Sequence, residues 1–159
     1  MGEKIFIFDT TLRDGQQCPG AGMSFEDNLL YAQLAQKLGV DILEAGFPAA
    51  SRLDFEIVHA IAEQLTANPD NQTTIAALCQ LRSEQVDKTI QALSPALPHK
   101  KARMHGYLPV DPQLMIASLG KDRAKDHPAI FKDLEEYISR AVKAGMEVEF
   151  SPEGYSRQG

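Results

Sequence analysis

Residues 8–20 read FDTTLRDGQQCPG. The segment follows the apolar run KIFIF (4–8) directly and gathers Asp9, Arg13 and Asp14 among threonines and glycines. An apolar run ending in a polar, glycine-bearing turn has the form of a buried strand entering a loop. Whether that loop is a plain turn or the mouth of a site depends on what the rest of the chain brings around it.

Working outward, strands and helices alternate. FEDNLLYAQLAQKL (25–38) predicts a helix in which Leu29, Leu30, Leu34, Ala35 and Leu38 recur at three- and four-residue spacing. Ser24 is placed as its N-cap, Asp27 completes a capping box, and Gly39 ends it. VDILEAGF (40–47) is strand-like, and RLDFEIVHAIAEQLT (52–66) is amphipathic. TTIAALC (73–79) predicts a third strand, and Ser83 is placed to cap a helix over 84–93. KARMHGYL (101–108) reads as a fourth, weaker strand, followed by a short helix over 113–119. A long helix over 128–144 turns Ile130, Leu134, Tyr137, Ile138, Ala141 and Val142 one way. Gly145 ends it, and MEVEFS (146–151) predicts a fifth strand. Such alternation implies right-handed crossovers and a parallel sheet. Spacing alone leaves two α/β architectures open: a doubly wound sheet and a (β/α)8 barrel.

Composition narrows the function classes. A net charge of -6 over 159 residues argues against nucleic acid as the main partner, since phosphate binding needs a basic face. No run approaches the ~18 apolar residues of a membrane span, and the N-terminus lacks a secretory pattern, so a cytoplasmic protein is expected. Cys18 and Cys79 lack metal-site spacing and are read as reduced thiols. No GxGxxG, Walker loop, HxH or HExxH occurs.

In both architectures ligands bind beyond the C-terminal strand ends. Those ends carry Asp9, Thr10, Thr11, Arg13, Asp14 and Gln17; Glu44, Gly46 and Phe47; Cys79 and Gln80; His105; and Ser151, Glu153, Tyr155 and Arg157. Two readings stand for the first group. The carboxylates cap the turn and Arg13 pairs with Asp14 at the surface, or a divalent cation sits on carboxylate oxygen while the guanidinium holds an anionic ligand. Glu44, inside ILEAGF, needs a partner such as Arg13 if buried; a structural ion pair and a mouth-lining role both fit. His105 is either a satisfied core histidine or a site residue. By strand alternation Glu149 lies inside or against a helix, and His59, His99 and His127 are expected at the surface.

FDTTLRDGQQCPG closely resembles the F-D-T-T-L-R-D-G-x-Q signature of the acyl-CoA-dependent metal aldolase and lyase family, which includes isopropylmalate and homocitrate synthases and hydroxymethylglutaryl-CoA lyase. LEAGFP (43–48) is similar to the family's E-x-G-F-P, and VEFSPEGYSR (148–157) to its V-E-F-S-x-E segment. The resemblance implies a (β/α)8 TIM barrel and a divalent metal, Mg or Mn. It implies condensation of acetyl-CoA with 3-methyl-2-oxobutanoate as in leucine biosynthesis, with another 2-oxo acid of the same family as the alternative. It assigns Asp14 to the metal and Arg13 to the oxyanion of the 2-oxo acid. Gln17, Glu44, His105 and Ser151 would bind substrate, and Glu153 would assist proton transfer. Gln16 departs from the family's commoner Glu or Asn, and YLPVDP (107–112) replaces a stretch rich in Ser and Thr.

A barrel of this type takes about 250 residues, and the family's remaining metal ligands lie in an H-x-H motif near the seventh strand. Residues 1–159 are therefore expected to be the N-terminal portion of a catalytic barrel, about five strands and four helices, inactive alone. The open sheet edges predict association as a homodimer. The alternative of another class is a non-catalytic half-barrel interaction module.

Overall fold

The computed structural model describes residues 3–157. Its elements run β1 (Phe8–Asp9), α1 (Phe25–Leu38), β2 (Ile42–Glu44), α2 (Arg52–Thr66), β3 (Thr74–Gln80), α3 (Ser83–Ala92), β4 (Ala102–Pro109), α4 (Pro112–Leu119), α5 (His127–Lys143) and β5 (Glu147–Glu153). All five strands are parallel and lie in chain order, β1-β2-β3-β4-β5. The sheet curls into half of a (β/α) barrel, with the helices on its outer side.

The two sheet faces differ as the two-residue period of a strand requires. Leu43, Ile75, Ala77, Cys79 and Met104 point outward and are fully buried with Val58, Ile61 and Leu65 of α2 and Val86 of α3. Their neighbours Glu44, Leu78, His105, Tyr107 and Ser151 project to the inner, concave side. Lower on that side Arg103 pairs with Glu147 at 2.7 Å and with Glu149 at 3.2 Å, so Glu149 faces the barrel interior and not a helix.

Several local expectations are met. Ser24 accepts from the Asp27 amide in a complete capping box, and Gly39 closes α1 in the left-handed region. α2 has the predicted bounds. Other readings are corrected. The ladder of β1 is two residues long, and Ile5, Phe6 and Ile7 before it are exposed. The strand read as weakest, β4, is the longest, with eight residues paired along both edges. In α1 the buried line is Asn28, Ala32 and Ala35, whereas Leu30, Leu34 and Leu38 are exposed. Bonds from Tyr31 to Asp9 and between Asn28 and Gln16 set that rotation. Val142 of α5 is likewise exposed. Ser83 does not cap α3: it is the first helical residue, and its hydroxyl accepts from Arg140 at 3.1 Å, tying α3 to α5. His59 is half-buried, stacked on Phe55, with Nδ1 3.2 Å from the Ala92 carbonyl.

Candidate functional site

The loop after β1 is built by short-range bonds. Asp9 Oδ1 accepts from the Thr11 amide at 2.8 Å and Oδ2 from the Tyr31 hydroxyl at 2.7 Å. Burial pushes the Asp9 carboxyl up, but these donors outweigh it and hold the group below its ordinary value. Asp9 is thus the turn-capping carboxylate. The amides of Arg13 and Asp14 both donate to the Thr10 carbonyl. Gln16 clamps the loop onto α1: its Nε2 donates to Leu12 O at 2.9 Å and Asn28 Oδ1 at 2.7 Å, and its Oε1 accepts from the Met23 amide at 3.0 Å. Two donated bonds and one accepted bond are the set a side-chain amide supplies, which accounts for glutamine at this position.

Held this way, Arg13 reaches across β2. Its Nε donates to Glu44 Oε2 at 2.8 Å, and its Nη1 to Asp14 Oδ1 at 2.9 Å. Glu44 is fully buried, and its other oxygen lies 2.6 Å from His105 Nδ1. His105 Nε2 lies 2.7 Å from Ser151 Oγ. With Arg13 balancing the carboxylate charge, Glu44 is the acceptor on both sides. His105 Nδ1 therefore carries the proton, and in the neutral ring Nε2 is left to accept from Ser151. Residues from the β1 loop, β2, β4 and β5 so form one hydrogen-bonded chain, Arg13–Glu44–His105–Ser151. Of the two readings of Glu44, the structure shows the buried ion pair; Glu44 itself is fully buried and lines neither of the clefts beside Arg13.

The chain borders a cleft of about 400 Å³ lined by Arg13, Gln17, Phe47, Leu78, His105, Tyr107, Ser151 and Glu153. A second cleft of about 340 Å³ shares Arg13, Gln17, Phe47 and Leu78. Gln17 and Glu153 therefore line the site without a side-chain bond to Arg13, Glu44, His105 or Ser151, while Asp14 is exposed and joins it through its 2.9 Å bond to Arg13. Tyr155 is exposed. Sequence reasoning missed Tyr107, which packs edge-on to Phe47 with ring centroids 6.4 Å apart. The signal was present: Tyr107 lies two residues beyond His105 in a strand and so shares its face. Burial first, and then the negative charge of Glu153, pushes its hydroxyl above the ordinary tyrosine value.

For a divalent cation the donors are one-sided. Asp14 Oδ2 has no partner among the described residues, and Asp14 is exposed. Among the described residues, however, no three His, Cys, Asp or Glu side chains converge to hold a metal ion. A single carboxylate fits one corner of such a site, not the whole.

Parallel strands with alternating helices, and polar groups converging at their C-terminal ends, define a (β/α)-barrel protein with a mouth site. The HMGL-like family model matches residues 4–159, and the chain belongs to that family. It is 39% identical over 155 residues to a 2-isopropylmalate synthase of Trichormus variabilis, covering 98% of this chain and 28% of that relative. A 2-isopropylmalate synthase of Rhodopseudomonas palustris is 38% identical over 98% of this chain and 27% of its own. One of Solidesulfovibrio magneticus is 38% identical over 97% and 28% respectively. The chain thus spans little more than a quarter of the length of these curated relatives. No helix among the described residues is long and apolar enough to cross a membrane.

Proposed function

We propose that this chain forms the 2-oxo-acid-binding part of an acyltransferase barrel of the 2-isopropylmalate synthase type, which joins the acetyl group of acetyl-CoA to 3-methyl-2-oxobutanoate. The observation that carries the reading is the Arg13–Glu44–His105–Ser151 chain bordering the cleft beside Asp14. Residues 1–159 act as the N-terminal portion of the catalytic domain. Glu44 holds the guanidinium of Arg13 in place, so that its remaining N–H groups meet the carboxylate or keto oxygen of a 2-oxo acid without rearrangement. Phe47, Leu78 and Tyr107 offer an apolar wall for a short branched side chain. Ser151, held by His105, presents its hydroxyl oxygen on the β5 side, Gln17 lines the entrance, and Glu153 is placed to move a proton at the rim. A divalent cation, Mg or Mn, would take Asp14 as one ligand, with its other donors from outside the described residues, and would supply charge stabilisation at the keto oxygen. Apolar groups left open on α1 and before β1 support self-association.

The test is calorimetric titration of the chain with 3-methyl-2-oxobutanoate, 2-oxoglutarate and pyruvate. Binding of the branched acid, lost in Arg13→Ala, is expected. Preference for 2-oxoglutarate would move the assignment to a homocitrate synthase type, and binding of all three unaffected by Arg13→Ala would sink the site. Sedimentation at micromolar concentration reads the association, and a monodisperse monomer would contradict it.

A further inference from the structure

We propose that Ser151, His105 and Glu44 form a nucleophile–base–orienter triad, which gives the cleft a hydrolytic activity on small acyl esters and thioesters. The inference uses neither Asp14 nor the choice of 2-oxo acid. Its basis is geometric. Ser151 Oγ lies 2.7 Å from His105 Nε2, and His105 Nδ1 lies 2.6 Å from Glu44 Oε1. Both separations fall in the range a nucleophile–base and a base–orienter pair require. Such a triad is recognised by geometry and role, not by chain order.

Each member is fixed by something outside the triad. Glu44 is fully buried and held on its second oxygen by Arg13, so it cannot turn away from the imidazole. His105 is buried, and its ring packs edge-on to Phe8 with centroids 6.1 Å apart. Ser151 sits on β5, in register opposite Tyr107 of β4, and lines the cleft together with His105. A set carried by β2, β4 and β5 of one sheet is more rigid than one carried by loops. A core histidine needs only one partner to satisfy each nitrogen; here the pair is a buried carboxylate on one side and a cleft-facing hydroxyl on the other.

The step balances. Ser151 Oγ attacks the acyl carbon as its proton passes to His105 Nε2. The new O–C bond forms and the C–S or C–O bond of the leaving group breaks. His105 returns the proton to the departing thiolate or alkoxide. Water then repeats the sequence on the acyl-serine, releasing the carboxylic acid and restoring the hydroxyl. For the charge that develops on the acyl oxygen, two donors line the same cleft: Arg13 Nη2 and the Tyr107 hydroxyl, neither with a partner among the described residues. Burial keeps that hydroxyl protonated across neutral pH.

The experiment treats the chain with an alkyl fluorophosphonate, which loses fluoride as Ser151 Oγ bonds to phosphorus, and reads the product by intact mass and peptide mapping. One adduct is expected, on Ser151, absent in Ser151→Ala. In His105→Gln its rate falls by about a hundredfold, the lower end of what a positioned general base contributes. Should His105→Gln fail to fold by circular dichroism, Ser151→Cys in a Cys18→Ala background replaces it. The introduced thiol is then alkylated by iodoacetamide at a rate that follows a bell-free, single-step pH profile well below that of Cys18 in the unmodified chain. No Ser151 adduct in the unmodified chain overturns the proposal. So does an adduct that forms equally fast in His105→Gln, or an introduced thiol that titrates like Cys18.

Discussion

Glu44→Gln tests the centre of the site. The substitution preserves volume but removes the carboxylate charge and one acceptor. The amide nitrogen must then face either Arg13 Nε or His105 Nδ1, both donors in the native chain. Breaking a fully buried pair by removing one partner costs about 3–5 kcal/mol. Arg13 keeps Asp14 and is 19% exposed at its side chain, so the cost here is reduced to about 2–4 kcal/mol. For a domain of this size about 2–4 °C of Tm accompanies each kcal/mol, so a fall of about 4–16 °C is expected. Thermal unfolding by circular dichroism reads it, and a double-mutant cycle with Arg13→Ala apportions it. Coupling of more than about 1 kcal/mol is expected, because the two side chains share one hydrogen bond and one charge balance. A Tm within about 2 °C of the parent, or a cycle that closes additively within about 0.5 kcal/mol, would refute the pairing.

Three further outcomes follow from the geometry. Gly154→Ala should destabilise by about 2–3 kcal/mol, read by urea unfolding. A Cβ there would lie 2.8 Å from that of Asp111 at a φ of +77°, and left-handed backbone costs an L-residue about 1–2 kcal/mol before the clash is counted. In a thiol assay at pH 8, exposed Cys18 should react and buried Cys79 should not until the chain unfolds; burial pushes the Cys79 thiol up to about 11, so reaction of two thiols in the native state would contradict the core placement. Tyr31→Phe should cost about 1.5 kcal/mol by removing a donor to a charged acceptor. The depressed Asp9 carboxyl contributes stability present above its unfolded pKa and lost as pH falls through its folded value. Tyr31→Phe should therefore flatten the acid limb of stability against pH, and an unchanged limb would remove Asp9 from that account.

The sequence was most informative where a single segment decides its own structure. Ser24, Asp27 and Gly39 bracket α1 because caps act within four residues, and the parallel order follows from strict alternation of periods. It was least informative where distant segments compete for a side chain. Ser83 has the composition of an N-cap, but Arg140, 57 residues on, takes its hydroxyl. The apolar residues of α1 have helical spacing, yet with the bonds to the β1 loop only Leu29 and Ala35 of that line meet the core, while Leu30, Leu34 and Leu38 turn outward. The site shows both sides of this. Arg13, Glu44, His105 and Ser151 could be picked out as polar residues at strand ends. That they touch depends on strand register, which sets Leu78 opposite His105 and Tyr107 opposite Ser151. No local pattern encodes register across 31, 61 and 46 residues of separation. Gln17 and Glu153 line the cleft with no side-chain hydrogen bond among the described residues, so their parts in the chemistry rest on the proposed binding mode.

The strand order has a consequence for how the molecule comes into being. Every strand lies beside the one made just before it, and each crossover helix packs on its own neighbours. Pairings therefore close loops of only a few tens of residues, and loop-closure entropy grows slowly over that range. Structure can accrete from the first βα unit onward as the polypeptide is synthesised, without waiting for a distant strand to arrive. The site does not share that timing. Its hydrogen-bonded chain begins in the β1 loop and ends on β5, so Arg13 and Glu44 are in place early and acquire their imidazole and hydroxyl only when later strands add to the growing edge.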